Sequence, residues 1–447
     1  MKKKLLALAV GVSLGMPLFA GNVQASVVDN PQDEAYVNRT VAADNRTAKK
    51  EALSLRKVEK LAPQDNQVVD KQLIPEAAKL YRYLWAVPQA GKVIYGHQND
   101  THHKMFRVDS GTESDCKDVT GSIAGVVGID SLSLTGDELT LTDKEMAAGV
   151  TLTDKLVEIA VNADRQGAIL TLSMHMPNFD VVAKKPKING AYDFKGYSPH
   201  ILTGEVGKRI LPGGDLNNVY RAYLDLVADF ALRLQEKRIP VIFRPLHEHN
   251  GFWFWWGGRN ISSKDFSSLW KYTAEYMRDE KGVHNFLYAY SPNGPFSRAE
   301  DYLDRYPGDD YVDILGVDTY DDDQSGAWYQ NLSQTLAVME KLGKERHKVT
   351  ALTEAGVRRG GSLAIQNNVD KQWFSQVGNL CREHKASYYM VWANFDKEEH
   401  NFFMPYMVSE NRGHEMIDEF TAFYNEPYSI FADGNTNYKK LQVGTVK

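Results

Sequence analysis

The feature that most constrains this chain is a recurrence. Eight short apolar runs, each closing on polar residues, are spread over residues 92–396. They are "KVIYGHQND" (92–100), "IAGVVGID" (123–130), "AILTLSMHM" (168–176), "PVIFRPLHE" (240–248), "NFLYAYSPN" (285–293), "VDILGVDTY" (312–320), "HKVTALTEAG" (347–356) and "YYMVWANFD" (388–396). Each has strand length, is rich in branched and aromatic residues, and is apolar nearly throughout rather than in alternation. That texture suits strands buried on both faces. Amphipathic helical stretches such as 217–238 and 267–280 lie between them. Strand and helix alternating eight times predicts an α/β fold, a (β/α)8 TIM barrel forming one catalytic domain. An open doubly wound sheet is the competing topology, but no G-x-G-x-x-G follows the first run.

The rest of the chain divides simply. Lys2, Lys3 and Lys4 precede an apolar run from Leu5 to Phe19, and Val23-Gln24-Ala25 stands before Ser26. Residues 1–25 therefore read as a cleavable signal peptide, the run being too short to span a bilayer comfortably. With no cysteine there to carry a lipid, the expectation is an exported protein, periplasmic or secreted, without membrane insertion. Residues 26–72 read as a polar arm or linker, 73–425 as the barrel and 426–447 as a C-terminal tail. The net charge of −6 argues against nucleic acid as a partner, and a monomer is expected. Cys116 and Cys381 are the only cysteines, and their pairing is not legible in the sequence.

Barrel enzymes carry their chemistry at the C-terminal ends of the strands. There the runs offer His97 and Gln98, Asp130, His175, His247 and Glu248, Asn293, Asp318 and Tyr320, Glu354, and Trp392 and Asn394. A single buried histidine after a strand is ordinarily structural, and Asp130 or Asn293 would serve equally well to cap a helix. Two carboxyls carry more weight. Glu248 and Glu354 end the fourth and seventh runs, which face each other across a barrel mouth. Glycoside hydrolysis needs such a pair, one protonated to donate to the leaving oxygen and one ionised to attack the anomeric carbon. Phe252, Trp253, Phe254, Trp255 and Trp256 come soon after Glu248. Sugars stack their C–H faces on such rings, so Trp253 and Trp392 suit the two sides of a subsite, while Trp255 and Trp256 suit packing. His247-Glu248-His249 is not the H-E-x-x-H of helical zinc sites. In an extended segment, however, His247 and His249 would point the same way, which keeps a metal-dependent amidohydrolase-type barrel as an alternative. A non-catalytic glycan-binding barrel is another, and the presence of both carboxyls argues against it.

Taken together, "RPLHEHNGFWFWWGG" and "LTEAG", with glutamates 106 residues apart, resemble glycoside hydrolase family 26, the β-mannanases, with motif order kept over 75–425. The resemblance implies a retaining hydrolase of β-1,4-mannosidic bonds in mannan, glucomannan or galactomannan. Its partner is a polysaccharide substrate, and no cofactor or metal is required. It makes Glu248 the acid/base and Glu354 the nucleophile. It places His175 (in "MHMPNF"), His247, Trp253, Tyr320 (in "GVDTY") and Trp392 on the substrate, with Arg244 and Asp318 supporting the carboxyls. On that reading burial against Trp253 raises Glu248, while Arg244 and Tyr320 keep Glu354 ionised. Two departures stand out: His249 replaces a commoner methionine, and no tryptophan lies between Trp85 and Trp253, where some members carry a further subsite residue. The missing tryptophan leaves open an exo-acting mannobiohydrolase beside endo cleavage, and the family also contains xylanases and β-glucanases.

Overall fold

Strands form where the apolar runs lie, and all eight are parallel. They are β1 (Val93–Gln98), β2 (Val126–Asp130), β3 (Ile169–Ser173), β4 (Val241–Arg244), β5 (Phe286–Tyr290), β6 (Ile314–Asp321), β7 (Val349–Val357) and β8 (Tyr388–Val391). Each pairs with the next, and β8 closes on β1 from Tyr388↔Ile94 to Val391↔His97. The result is the closed (β/α)8 barrel. This computed structural model describes residues 37–38, 52–63, 65–105, 107–108, 111–395, 401–442 and 445–446. The leader expected over 1–25 lies outside them.

Burial on both strand faces explains the unbroken apolar runs: every strand residue except Tyr320 is buried. Ile94, Val126, Ile169, Ile242, Leu287, Ile314, Val349 and Tyr388 share one inner cluster with Ala77, Tyr81 and Leu84 of helix α1 (Pro75–Gln89). That helix closes the N-terminal floor, started by a proline whose missing N–H costs nothing in a first turn. The alternate strand residues, among them Val127, Leu170, Phe243, Leu315 and Leu352, join an outer layer with the surrounding helices. These include α2 (Leu152–Arg165), α3 (Asn217–Glu236), α4 (Ser263–Glu275), α5 (Ala327–Arg346), α6 (Trp373–Glu383) and α7 (Ile417–Asn425). In α2 the sequence T-L-T-D makes a capping box. Asp154 N–H donates to the Thr151 hydroxyl at 3.1 Å, and Thr151 N–H donates to the Asp154 carboxylate at 2.9 Å. Along α3, Val219, Tyr220, Tyr223, Leu224, Val227, Phe230, Ala231 and Leu234 keep helical spacing and are all buried.

The expected edges at residues 72 and 425 are not edges of the packed body. Leu53, Val58 and Val68 belong to the floor cluster. Beyond 425, Ser429 and Ile430 pair with Val93 and Ile94, below the level where β1 meets β2. Asn435 donates to the carbonyls of Gly125 and Gly167, each at 2.9 Å, and Tyr438 stacks on Tyr83. The segment expected as a C-terminal tail is thus packed into the floor of the barrel. Cys116 and Cys381 are separate buried thiols. Among the described residues no helix is long and apolar enough to cross a membrane.

Candidate active site

The mouth is built first from β4 and the turn at its C-terminal end. Arg244 ends the strand, because Pro245 has no N–H to continue the ladder. Leu246 and Glu248 then adopt left-handed backbone, φ 53° and 49°, a conformation costing about 1–2 kcal/mol for a residue with a Cβ. The turn is held by Glu248 N–H on the Ser291 carbonyl at 2.8 Å and by Gly251 N–H on the Glu248 carbonyl at 2.9 Å. This corrects the expectation of an extended segment through residue 248. The break in strand geometry also separates the two histidines. His247 turns toward His175, whereas His249 lies between the rings of Phe266 and Tyr290, at 4.2 and 4.7 Å, its two nitrogens without partners. Among the described residues no group of three or more His, Cys, Asp or Glu is arranged to hold a metal ion.

Glu354 reaches the cavity through a bulge. Val349 and Ala351 point inward on β7, so strict alternation would turn Glu354 outward. Between Val317↔Leu352 and Asp318↔Glu354 the register slips by one residue, with Thr353 as the extra one, and the parity reverses. Gly316 leaves room for this: a Cβ there would lie 2.6 Å from the Thr353 side chain. The Thr353 hydroxyl lies 2.7 Å from Asp318 Oδ1 and also within reach of the Val317 carbonyl.

Both oxygens of Glu354 are engaged. Arg244, only 1% exposed, donates from Nη2 to Glu354 Oε2 and from Nη1 to Asp318 Oδ2, both at 2.7 Å. Tyr320 donates its hydroxyl to Glu354 Oε1 at 2.5 Å. Both oxygens of Glu354 thus accept hydrogen bonds, one of them charge-assisted. Burial alone would lower the Arg244 guanidinium, but Asp318 and Glu354 more than offset it and its pKa rises.

Glu248 sits differently. Its Oε2 accepts the Trp253 indole N–H at 2.7 Å. Burial first, then the charges of Glu354 and Asp318, push its pKa well above the ordinary carboxyl range; the Trp253 hydrogen bond and Arg244 oppose this without reversing it. One guanidinium faces three carboxyls here. Burial pushes Asp318 up as well, against the direct contact with Arg244 that opposes it.

A histidine wall completes the mouth. Asp130 accepts from His175 Nδ1 at 2.8 Å and from its backbone N–H at 3.1 Å. The acceptor fixes the Nδ1 hydrogen, so His175 Nε2 and His247 Nε2, 3.2 Å apart, share one proton between them. Burial first, then His175, hold the His247 pKa well below the usual range. The Trp392 ring meets His175 edge-on at 5.4 Å. Trp255 and Trp256 are buried, the latter donating to the His247 carbonyl at 2.8 Å.

Arg244, His175, His247, Glu248, Trp253, Asp318, Tyr320, Glu354 and Trp392 therefore line one mouth. Other strand-end residues do not serve it directly. His97 pairs with Asp100 at 2.7 Å, Asn293 exchanges hydrogen bonds with Asn250, and Asn394 clamps Asp115 and the 403–404 backbone. Sequence reading missed Tyr197 and His200, which enter from the long β3–β4 connection. Tyr197 is pushed far up by burial and then by Asp130, Glu138, Glu248 and Glu354, and its ring lies 6.3 Å from that of His175. Both come after "YDFKG" in a stretch with no strand or helix spacing, so no periodic signal marks them.

An enclosed polar mouth with two unlike carboxyls and aromatic walls places the chain among the barrel glycoside hydrolases. It belongs to glycoside hydrolase family 26, whose family model, described as "Glycosyl hydrolase family 26", matches residues 69–430. The mannan endo-1,4-beta-mannosidase of Bifidobacterium adolescentis is 33% identical over 373 residues, 80% of this chain and 35% of that protein. The mannan endo-1,4-beta-mannosidase of Bacillus subtilis strain 168 is 31% identical over 37% of this chain and 44% of its own length. This chain thus spans less than half the length of these curated relatives. Among solved structures, the catalytic domain of a Bacillus sp. JAMB-750 endo-beta-1,4-mannanase superposes with a TM-score of 0.76 at 33% identity, covering 86% of this chain and 99% of that one. A modular endo-beta-1,4-mannanase from Cellulomonas fimi gives a TM-score of 0.73 at 32% identity, covering 85% and 80%.

Proposed function

We propose that this protein hydrolyses internal β-1,4-mannosidic bonds of mannan, glucomannan or galactomannan with retention of configuration. The observation that carries the reading is the unlike surroundings of Glu248 and Glu354. Burial and the neighbouring carboxyls hold Glu248 well above the ordinary carboxyl range while Trp253 anchors its Oε2, the form of a general acid. Glu354 is oriented by Arg244 and Tyr320, the form of a positioned nucleophile. Glu248 protonates the glycosidic oxygen as Glu354 attacks C1, giving a covalent glycosyl-enzyme through an oxocarbenium-like transition state. Glu248, now a base, takes a proton from water, which releases the sugar with its β configuration. When Glu354 becomes an ester it loses its charge, and Asp318 remains as counterion to Arg244. His175 and His247 wall the sugar site, and Trp253 and Trp392 offer faces to the pyranose.

The relatives and solved structures that bear the name of mannanase support the substrate. The N-terminal leader supports export. The test is product analysis of the purified protein on galactomannan, glucomannan, xylan and mixed-linkage glucan. A ladder of mannooligosaccharides, β-anomeric at first appearance by proton NMR, is expected. Turnover of xylan or glucan in preference to mannan, release of mannobiose alone from chain ends, or initial α-anomers would overturn the reading.

A further inference from the structure

Tyr197 and His200 form a chain of contacts running from the cleft to the acid/base, and the geometry of each link fixes the direction of its hydrogen. His200 Nδ1 lies 2.8 Å from the Trp253 carbonyl oxygen, which only accepts, so Nδ1 carries the hydrogen. Burial holds the His200 pKa below the ordinary value, against the Trp253 contact and with help from His175, so the ring is neutral and Nε2 bears a lone pair. The Tyr197 hydroxyl lies 3.0 Å from that Nε2 and must donate to it. A phenol whose hydrogen is committed to an imidazole presents the remaining lone pair of its oxygen to whatever enters the cleft.

The platform for this arrangement is rigid. The His200 ring stacks on Phe254, 5.2 Å away and 14° from parallel. Asn178 pins the same loop by donating to the carbonyls of Ile201 and Thr203, and Trp255 N–H donates to the Pro199 carbonyl at 3.0 Å. Tyr197 and His200 are both only partly buried, and the Tyr197 ring lies 6.3 Å from that of His175. The phenol therefore borders the same space as the histidine wall.

We propose that Tyr197 is a specificity-determining residue whose oxygen accepts a hydrogen bond from one hydroxyl of the bound sugar. His200 is then a positioning residue with two tasks. It orients the phenol as an acceptor, and it holds the Trp253 backbone so that the indole N–H stays on Glu248. A sugar lacking that hydroxyl, or carrying only an acceptor there, is discriminated against, because the desolvated phenol oxygen is left unpaired. The proposal rests on the hydrolase reading and deepens it.

Two variants separate these roles. Tyr197→Phe keeps the ring and removes the oxygen; His200→Phe keeps the stack on Phe254 and removes both hydrogen bonds. The substrates are mannotetraose and a set of mannotetraoses each lacking one hydroxyl. Tyr197→Phe is expected to lower kcat/KM on mannotetraose about two- to twelvefold, mainly through KM. One deoxy compound should show no further loss in the variant, while the others lose in proportion. His200→Phe should show the same coupling to the same compound. It should also move the alkaline limb of kcat/KM to higher pH, because Glu248, which still faces Glu354, Asp318, Arg244, Arg358, Tyr320 and Tyr197, loses a firmly held donor. A merely structural role would not select one hydroxyl. Equal proportional losses on every deoxy compound overturn the sugar contact, and an unmoved alkaline limb in His200→Phe overturns the positioning role. If the wild-type protein neither binds nor cleaves mannotetraose, the hydrolase reading fails first and the proposal falls with it.

Discussion

Replacing Arg244 with leucine should unbalance the mouth in a way that pH reveals. Arg244 is 1% exposed and bridges Asp318 and Glu354 at 2.7 Å each. Leucine keeps most of the apolar volume but leaves Asp318 and Glu354, two buried carboxyls, without the guanidinium that bridges them. Removing one partner of a buried ion pair costs about 3–5 kcal/mol, most of it the cost of leaving the other charge uncompensated. The pH dependence has a definite sign. Burial already pushes Asp318 up and Arg244 opposes it, so without the cation its folded pKa rises further above the unfolded value. The folded variant then binds more protons than the unfolded chain, and its stability falls as pH rises from the unfolded carboxylate range through the raised pKa. Urea denaturation of wild type and Arg244→Leu at pH 5 and pH 8 measures this. The destabilisation should approach the full 3–5 kcal/mol at pH 8 and be smaller at pH 5. A difference below about 1 kcal/mol at both values, or a larger one at pH 5, would refute the reasoning. Arg244→Lys should recover only part of the loss, since one ammonium lacks the planar fork that serves two carboxylates.

The same contacts give three further expected outcomes. Trp253→Phe removes the donor to Glu248 Oε2 that opposes its upward shift, so the alkaline limb of kcat/KM should move to higher pH; a downward move would contradict the assignment. Glu248→Gln removes a carboxyl whose folded pKa is raised, and so a loss of stability that grows as pH climbs above the unfolded carboxyl value. Its melting temperature should exceed that of wild type, by more at pH 8 than at pH 4.5, while hydrolysis collapses. Thr353→Val deletes the hydroxyl 2.7 Å from Asp318 Oδ1 and should cost about 1–3 kcal/mol in urea denaturation; a neutral result would mean the bulge does not depend on that bond.

The barrel was legible because burial on both strand faces leaves an unmistakable run of apolar residues, and the glutamates because each closes such a run. Local backbone geometry was not. Pro245 hints at the end of β4, but nothing in "RPLHE" announces left-handed turns at Leu246 and Glu248, whose cost is met by tertiary contacts such as the Ser291 carbonyl. Those turns are why His247 and His249 part company and the extended H-x-H pairing fails. Likewise "VTALTEAG" alternates without a mark at Thr353, yet the extra residue there decides that Glu354 faces the cavity. Gly316, on another strand, is its only sequence trace. Tyr197 and His200 escaped for a different reason: loop residues carry no periodicity, and only the fold shows which of them reach the mouth. The polar texture before residue 72 hides Leu53, which packs into the floor, and Asn435 and Tyr438 pack there from beyond 425.

The central claim, that Glu354 attacks and Glu248 serves as acid and base, is tested most directly by trapping the glycosyl-enzyme. A 2-deoxy-2-fluoro mannoside with a fluoride leaving group, which needs little acid assistance, is incubated with Glu248→Ala, and the protein is digested and mapped by mass spectrometry. One stoichiometric adduct is expected, on the peptide carrying Glu354 in "LTEAG". An adduct on any other residue, or turnover of the natural substrate with inversion and no adduct at all, would contradict it.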